Sequence, residues 1–486
     1  MAIKTRMAPS PTGEYHIGHI RTVLYDLALA RKLDGKFLIR IEDTDRHRFV
    51  EGATDRILDV IKDYGLDWDE GPRVEGDKGP YIQSERLDIY KKYAEELVEK
   101  DAAYYCFCSK ERLDELRKEQ QSKGAPITKY DKACTKLSKQ ETTDRLAAGE
   151  AHVIRLNVPE NRDITFKDEV FGEVTINTSA MDDQILLKSD GYPAYHLAVV
   201  VDDHLMEVTH VMRGNDWIPS TPKHVLLYEA FGWDLPVYAH LPNLKEKDSN
   251  KKLSKRFGPV SAISFLEEGY LPEALLNFLM FLGWNPGTEK EIYTLEEFIE
   301  DFSIEKIHKT DLVVFDRDKL LWTNGHYIRE MSPEDLYERI ISWKDKFDVT
   351  FPEGFLDANV GMKVLSLIQE RLKKFDEISE LTSYFFETPA IDKELLVSYT
   401  KDPARTKEIL ESFITLFEGI DNWEVSKLED ASHKLLEEKS YKPKEAYMTL
   451  RVALSGVSAT PPIFDTLEFL GKEEVITRLK SAFSVN

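Results

Sequence analysis

Two histidines one helical turn apart, His16 and His19, end the run Ala8-Pro-Ser-Pro-Thr-Gly-Glu-Tyr-His-Ile-Gly-His19. At the start of a helix their ring N–H groups would join the free backbone donors of the first turn, a combination that favours phosphate. Gly18, between them, lets the backbone approach a ligand closely. A bare His-x-x-His more often only caps a helix, so the pair alone leaves both readings open. Lys252-Leu-Ser-Lys255-Arg256 is a short basic run, and read alone it is also an ordinary feature of surface loops. The three cysteines, Cys106, Cys108 and Cys134, lie close together. Without a secretory leader they read as reduced thiols or a metal site rather than a disulfide framework.

The elements that must position these groups can be traced from periodicity. Ile3, Thr5 and Met7 alternate and the pattern breaks at Pro9 and Pro11, a short strand ending in a sharp turn. From Gly18 a helical face runs through Ile20, Val23, Leu24, Leu27 and Ala30 and stops near Gly35. Phe37-Leu-Ile-Arg-Ile41 reads as a buried strand, which completes a βαβ unit with ligands expected at the carboxyl ends of its strands. Residues 105–195 change character: a Lys- and Glu-rich helix from Lys110 to Gln121, then short alternating pieces at Ile164-Thr-Phe166 and Glu173-Val-Thr-Ile176. This predicts an insertion with its own small sheet. His196-Leu-Ala-Val-Val-Val201 reads as a buried strand of the resumed first domain, and residues 241–251 as a mobile surface loop. Beyond about residue 265 amphipathic helices dominate, at Leu271–Leu279, Val364–Phe375 and Ile409–Phe417.

A chain of 486 residues predicts about three to five domains. No apolar run approaches the roughly 18 residues that cross a bilayer, which points to a cytoplasmic protein without a membrane partner. The net charge of -23 argues against a broad nucleic-acid surface, because phosphate binding favours basic excess. Any RNA site must be a local basic strip.

Taken whole and in a strand–turn–helix context, the string from Ala8 to His19 resembles the nucleotide motif of class I aminoacyl-tRNA synthetases, in the form used by the glutamate and glutamine enzymes. Arg40-Ile-Glu-Asp-Thr-Asp-Arg46 is similar to the segment that meets the amino acid and the tRNA terminus in that family. Tyr195 to Asp203, with His210-Val-Met-Arg213-Gly, is similar to the second half of the amino-acid pocket. Lys252 to Arg256 resembles the mobile lysine loop that closes over phosphates. The likeness extends to Leu450-Arg-Val-Ala-Leu-Ser-Gly456 and is strongest to bacterial-type glutamyl-tRNA synthetases.

That resemblance implies an α/β Rossmann-like catalytic domain with an inserted α+β domain, followed by an all-α C-terminal anticodon-binding region. The implied ranges are 1–104 and 196–256 for the catalytic halves and 105–195 for the acceptor-stem insertion. A stem-contact helical domain would follow at 257–328, and an anticodon-binding region of two subdomains at 329–486. The implied reaction is ATP-dependent attachment of L-glutamate to tRNA(Glu) through glutamyl-adenylate, with tRNA(Gln) as a second acceptor in some members. Relatives imply a monomer. His16, His19 and Lys255 would be catalytic, and Pro9, Ser10, Gly18, His19, Lys252, Ser254 and Lys255 would hold ATP with its Mg2+. Arg6, Ser10, Glu42, Tyr195 and Arg213 would hold glutamate, since a guanidinium grips a carboxylate through two hydrogen bonds. For Arg6 and Glu42 an ordinary ion pair is the alternative. Asp45 would meet the tRNA terminus.

Structural zinc wants four ligands, and Cys106, Cys108 and Cys134 supply three. Some relatives add a histidine where Lys136 stands; Tyr130 would be the fourth ligand, as in a related tRNA-modifying enzyme. A site without metal remains the equal alternative. Further departures are Val199 where some relatives carry a pocket asparagine and others a valine, Asn215 in place of the more usual acidic residue, and Phe257 where a histidine often follows the lysine loop. The helical last third separates this chain from glutaminyl-tRNA synthetases, which end in β-barrels. Its length separates it from glutamylating tRNA-modification enzymes. Small nucleotidyltransferases need neither the tail nor the lysine loop.

Overall fold

The computed structural model describes residues 2–124, 127–249, 251–253 and 260–484. Its first elements are β1 (Lys4–Met7), α1 (Ile17–Lys32) and β2 (Lys36–Ile39), with β1 and β2 paired in parallel. α1 is buried without interruption from Ile20 to Ala30, as a helix sandwiched against a sheet should be. Arg21 pins it, donating to the carbonyls of Leu282 at 2.9 Å and Pro242 at 2.6 Å. Gly35 turns the chain into β2 because a Cβ there would lie 2.3 Å from the Ile3 carbonyl oxygen. Two helices follow, α2 (Ala53–Asp63) and α3 (Leu87–Glu99).

The next stretch holds β3 (Ala103–Cys106), α4 (Lys110–Ser122), α5 (Lys139–Ala147), β4 (Val153–Leu156), β5 (Asp163–Asp168), β6 (Gly172–Asn177) and β7 (Ile185–Leu187). β3, β4 and β7 form an antiparallel three-stranded sheet. The β5–β6 hairpin does not belong to it. That hairpin pairs through Asp168 with a later strand, so the two alternating segments join a different sheet from the expected one.

α6 (Tyr195–Leu205), β8 (His210–Gly214), α7 (Thr221–Phe231) and β9 (Val237–Leu241) come next. The run from His196 to Val201 is therefore helix, not strand. Residues 197–203 are all buried, and an apolar run covered on every side carries no period that separates the two. β8 and β9 are parallel, giving the order β6-β5-β9-β8. β8 also lies along β1, where the Thr209 N–H donates to the Lys4 carbonyl at 2.9 Å. The core gathers Leu197, Val199, Val201, Val211, Leu227 and Tyr238. The expected loop at 241–251 is corrected too: β10 (Asn243–Glu246) pairs in parallel with β11 (Leu312–Phe315). Two inward residues, Leu244 and Glu246, gave too short an alternation to signal a strand.

Residues 1–265 and 275–317 form one compact unit; residues 266–274 and 318–486 form a second. Among its described residues the second unit contains no strand. One of its cores packs Leu271 with Trp343, Phe355, Leu365 and Phe375; the other packs Phe413, Phe417, Leu450, Leu467 and Leu479. The helix expected from Val364 to Phe375 is Ala358–Ile368, and Leu372 and Phe375 enter the core from the turn beyond it. Among the described residues no helix is long and apolar enough to cross a membrane.

Candidate active site

At the start of α1 the His16 ring caps the helix, its Nδ1 accepting from the Gly18 N–H at 3.0 Å. Capping leaves the ring proton on Nε2, free to donate outward. Both uses read from the sequence are thus compatible in one side chain. The His19 ring lies 6.1 Å from His16 and 4.9 Å from Tyr15. Burial, with the Lys252 charge nearby, pushes both imidazoles down to about 4. They are neutral hydrogen-bond donors at pH 7, not cations. A Cβ on Gly18 would stand 3.2 Å from His16 Nδ1, so the glycine also leaves room for the cap. Pro9 is buried and its carbonyl accepts from the Glu42 N–H at 2.9 Å; Ser10 is exposed.

The chain on either side of residues 254–259 is anchored at this helix start. The Leu253 N–H donates to the Leu244 carbonyl at 2.6 Å, and the Ile17 N–H to the Val260 carbonyl at 2.8 Å. Lys252 Nζ sits 3.1 Å from Asp216 Oδ2. Asn215 instead binds the Asp311 carbonyl, so the acidic partner of the lysine is the following residue. Ser254 and Lys255, with Phe257, lie outside the described residues.

Beneath the carboxyl ends of β1 and β2 lies a buried charge network. Arg40, with no exposed side-chain surface, donates to Asp203 at 2.8 Å and to Glu42 at 3.0 Å, and its Nε is 3.6 Å from Asp202. Arg6 Nε reaches Asp203 at 3.4 Å. Glu42 thus pairs with Arg40 and Arg6 with Asp203, so each is held in a buried ion pair, though not with the other. Burial raises the Glu42 carboxyl from its ordinary range, and the Arg40 charge opposes this. Asp202 is satisfied by Arg86 at 2.8 Å, Gln83 at 2.9 Å and Tyr90 at 2.7 Å.

Arg213 projects from β8 among aromatic and imidazole groups. Its Nη1 lies 3.5 Å from the Tyr195 hydroxyl and its Nη2 donates to Thr221 at 2.8 Å. The Tyr195 ring packs on Trp217 with centroids 4.5 Å apart. The Tyr195 hydroxyl is raised by burial and also feels the charges of Arg213, Glu42, Arg6 and Asp203. Four of the five residues expected around glutamate thus come together, whereas Ser10 is exposed and makes no hydrogen bond to them. Asp45 stands apart, partly exposed and paired with Arg48 at 2.7 Å. Arg40, Asp202 and Asp203 form the network beneath these residues, and the motif reading assigns them no role. Their signal was present in the inward-facing charges of Arg40-Ile-Glu42 and in the acidic pair closing the buried helix.

The cysteine cluster is compact. The thiols of Cys106, Cys108 and Cys134 lie within 4.8 Å of one another. The Tyr130 hydroxyl is 3.2 Å from Cys108 Sγ and accepts from the Cys134 N–H at 3.0 Å. The three thiols supply soft donors suited to zinc, and the Tyr130 oxygen stands at hand as a harder fourth.

Known proteins resemble this chain along its whole length. The family model for the catalytic domain of class I tRNA synthetases (E and Q) matches residues 2–322, and an anticodon-binding-domain model matches residues 335–483. A glutamate–tRNA ligase of Clostridium tetani is 44% identical over 98% of this chain and 96% of its own. One from Alkaliphilus metalliredigens is 42% identical over 99% of this chain and 98% of its own. The crystal structure of a glutamate tRNA ligase from Elizabethkingia meningosepticum, in complex with its amino acid, superposes with a TM-score of 0.87. It is 34% identical, with 100% of each chain covered.

Proposed function

Because the chain belongs to the class I tRNA synthetases for glutamate and glutamine, we propose that it attaches L-glutamate to tRNA(Glu) in two ATP-dependent steps. In the first, the glutamate α-carboxylate attacks the α-phosphate of ATP and pyrophosphate leaves, giving glutamyl-adenylate. In the second, a terminal ribose hydroxyl of the tRNA takes the glutamyl group and AMP leaves. The reading is carried by the convergence of Arg213, Tyr195, Glu42 and Arg6 near the helix start of His16 and His19. Two guanidiniums suit a dicarboxylate, and Glu42 suits the substrate ammonium.

Such chemistry needs alignment and positive groups more than covalent help. His16 Nε2–H and His19 serve as neutral donors to the phosphates, and Lys252 supplies a cation beside them. The parts of Ser254 and Lys255 over the triphosphate, of Pro9, Ser10 and Gly18 along ATP, and of Asp45 at the tRNA end rest on the family likeness. Mg2+ enters with ATP. Zinc fits Cys106, Cys108, Cys134 and Tyr130, where it would tie the end of β3 to the segment around Cys134 and take no part in the reaction. Residues 105–195 would hold the acceptor stem, 257–328 contact the stem and 329–486 read the anticodon, the last supported by the family match at 335–483.

The test is charging with ATP, labelled glutamate or glutamine, and each purified tRNA. Glutamate on tRNA(Glu) is the expected product, and glutamate on tRNA(Gln) as well would identify an enzyme serving both. Glutamine on tRNA(Gln) alone would overturn the assignment.

A further inference from the structure

Behind Arg213 runs a chain of hydrogen bonds whose direction chemistry fixes. A guanidinium only donates. His240 Nε2, 3.1 Å from Arg213 Nε, must therefore accept, which puts the His240 proton on Nδ1, 2.6 Å from Asp168 Oδ2. His224 Nδ1, 3.4 Å from Arg213 Nη1, accepts in the same way and leaves its Nε2–H to donate to His196 Nδ1 at 2.9 Å. Thr221 accepts from Nη2 and passes its own proton to the Trp217 carbonyl at 3.1 Å.

Asp168 and His240 are wholly buried and sit behind Arg213, on the β5 and β9 strands. Asp168 is itself locked. Its Oδ1 accepts from the backbone N–H groups of Val170 at 3.0 Å and Phe171 at 2.8 Å, and its Oδ2 faces the His240 ring and backbone N–H. The β5–β6 hairpin, joined to this sheet through Asp168, thereby acquires a use that its place in the sequence does not suggest.

We propose that Asp168 and His240 are positioning residues for glutamate recognition. The carboxylate selects the His240 tautomer whose Nε2 lone pair fixes the plane of the Arg213 guanidinium, and the N–H groups not held by His240, His224 and Thr221 are thereby turned to the substrate carboxylate. This rests on the reading of Arg213 as a glutamate ligand. The logic is that of any buried acid that sets an imidazole tautomer for a partner.

Asp168→Asn is the diagnostic change because it keeps the shape. Two backbone donors hold the amide oxygen at the Oδ1 position, so the NH2 faces His240 Nδ1 and also meets the His240 backbone N–H, a cost to stability that the His240 variants do not carry. The His240 proton must then move to Nε2, N–H against the N–H of Arg213. The KM for glutamate in tRNA charging should rise about ten- to a hundredfold, the scale of one hydrogen bond to a charged group, with the KM for ATP unmoved. His240→Gln places Oε1 near the lost Nε2 acceptor and should largely restore the glutamate KM, whereas His240→Leu should raise it as Asp168→Asn does. In the His240→Gln background, Asp168→Asn should add little. If Asp168→Asn does not fold, the contrast of His240→Gln with His240→Leu carries the test. Arg213→Ala is the control. If it raises the glutamate KM alone while Asp168→Asn and His240→Leu do not, the positioning role is overturned. If Arg213→Ala leaves the glutamate KM unchanged, the pocket reading falls, and this inference with it.

Discussion

Imidazoles around this site are kept neutral by burial, and neutrality has a thermodynamic consequence. His16 and His19 are pushed down to about 4 and His196 to about 3, from an ordinary value of 6.5, with burial the largest cause in each. His224 and His240 are lowered too, again first by burial. In the unfolded chain these groups take up protons as pH falls through 6.5, while the folded chain refuses them until near 4. Stability is therefore complete above 6.5, falls between 6.5 and about 4, and gains no further loss from His16 and His19 below that. Urea midpoints of the free protein at pH 7 and pH 5 measure this. The His16→Gln, His19→Gln double variant should lose less of its midpoint on acidification than the unaltered protein. An equal loss in both would mean that these rings titrate normally.

The turn after β3 has its own small apolar core, around Cys106, Tyr130 and Cys134, separate from the main one. A tetrahedral metal would hold it by direct bonds, and structural zinc of this kind supplies folding free energy outright. Metal analysis of protein purified without chelator should return one zinc per chain. Stripping it with a strong chelator should expose the region from Cys106 to Cys134 to proteolysis and free the three thiols for titration. Full thiol reactivity before chelation would rule the metal out. How much was legible beforehand differed by element. α1 and β1 announced themselves because one face or alternate positions were apolar. α6 did not, because its unbroken apolar run from Leu197 to Val201 carries no period, whereas α1, buried as fully, is interrupted by Arg21, Thr22 and Asp26. β10 was hidden for another reason: its partner β11 is far along the chain, and pairing across that distance leaves no local mark. The same holds for Asp168 and His240, whose contact only the sheet order creates. By contrast, Glu42, Tyr195 and Arg213 stand in motifs long enough to be recognised, and Arg6 lies just ahead of one.

At the scale of the whole molecule the governing quantity is charge. A net charge of -23 sets up a repulsive field toward any polyanion, yet the proposed substrate is a tRNA. The two demands are reconciled if attraction is confined to short cationic strips that engage only when the tRNA is docked in register. Long-range repulsion then discriminates against RNA that cannot make those contacts. Salt acts on the two components in opposite directions. It weakens local phosphate contacts by reducing the gain from counterion release, and it screens the repulsion over a Debye length of about 10 Å at 0.1 M. Charges in the proposed glutamate pocket, beside the buried network of Arg6, Arg40, Asp203 and Glu42, are screened far less. Charging kinetics across a salt series should therefore show the KM for tRNA rising while the KM for glutamate stays nearly level. Non-cognate tRNA should compete poorly even at the lowest salt, where a basic RNA-binding protein would take up any polyanion. If a non-cognate tRNA competed there as well as tRNA(Glu), the acidic surface would not be acting as a filter, and selectivity would have to come from anticodon and stem contacts alone.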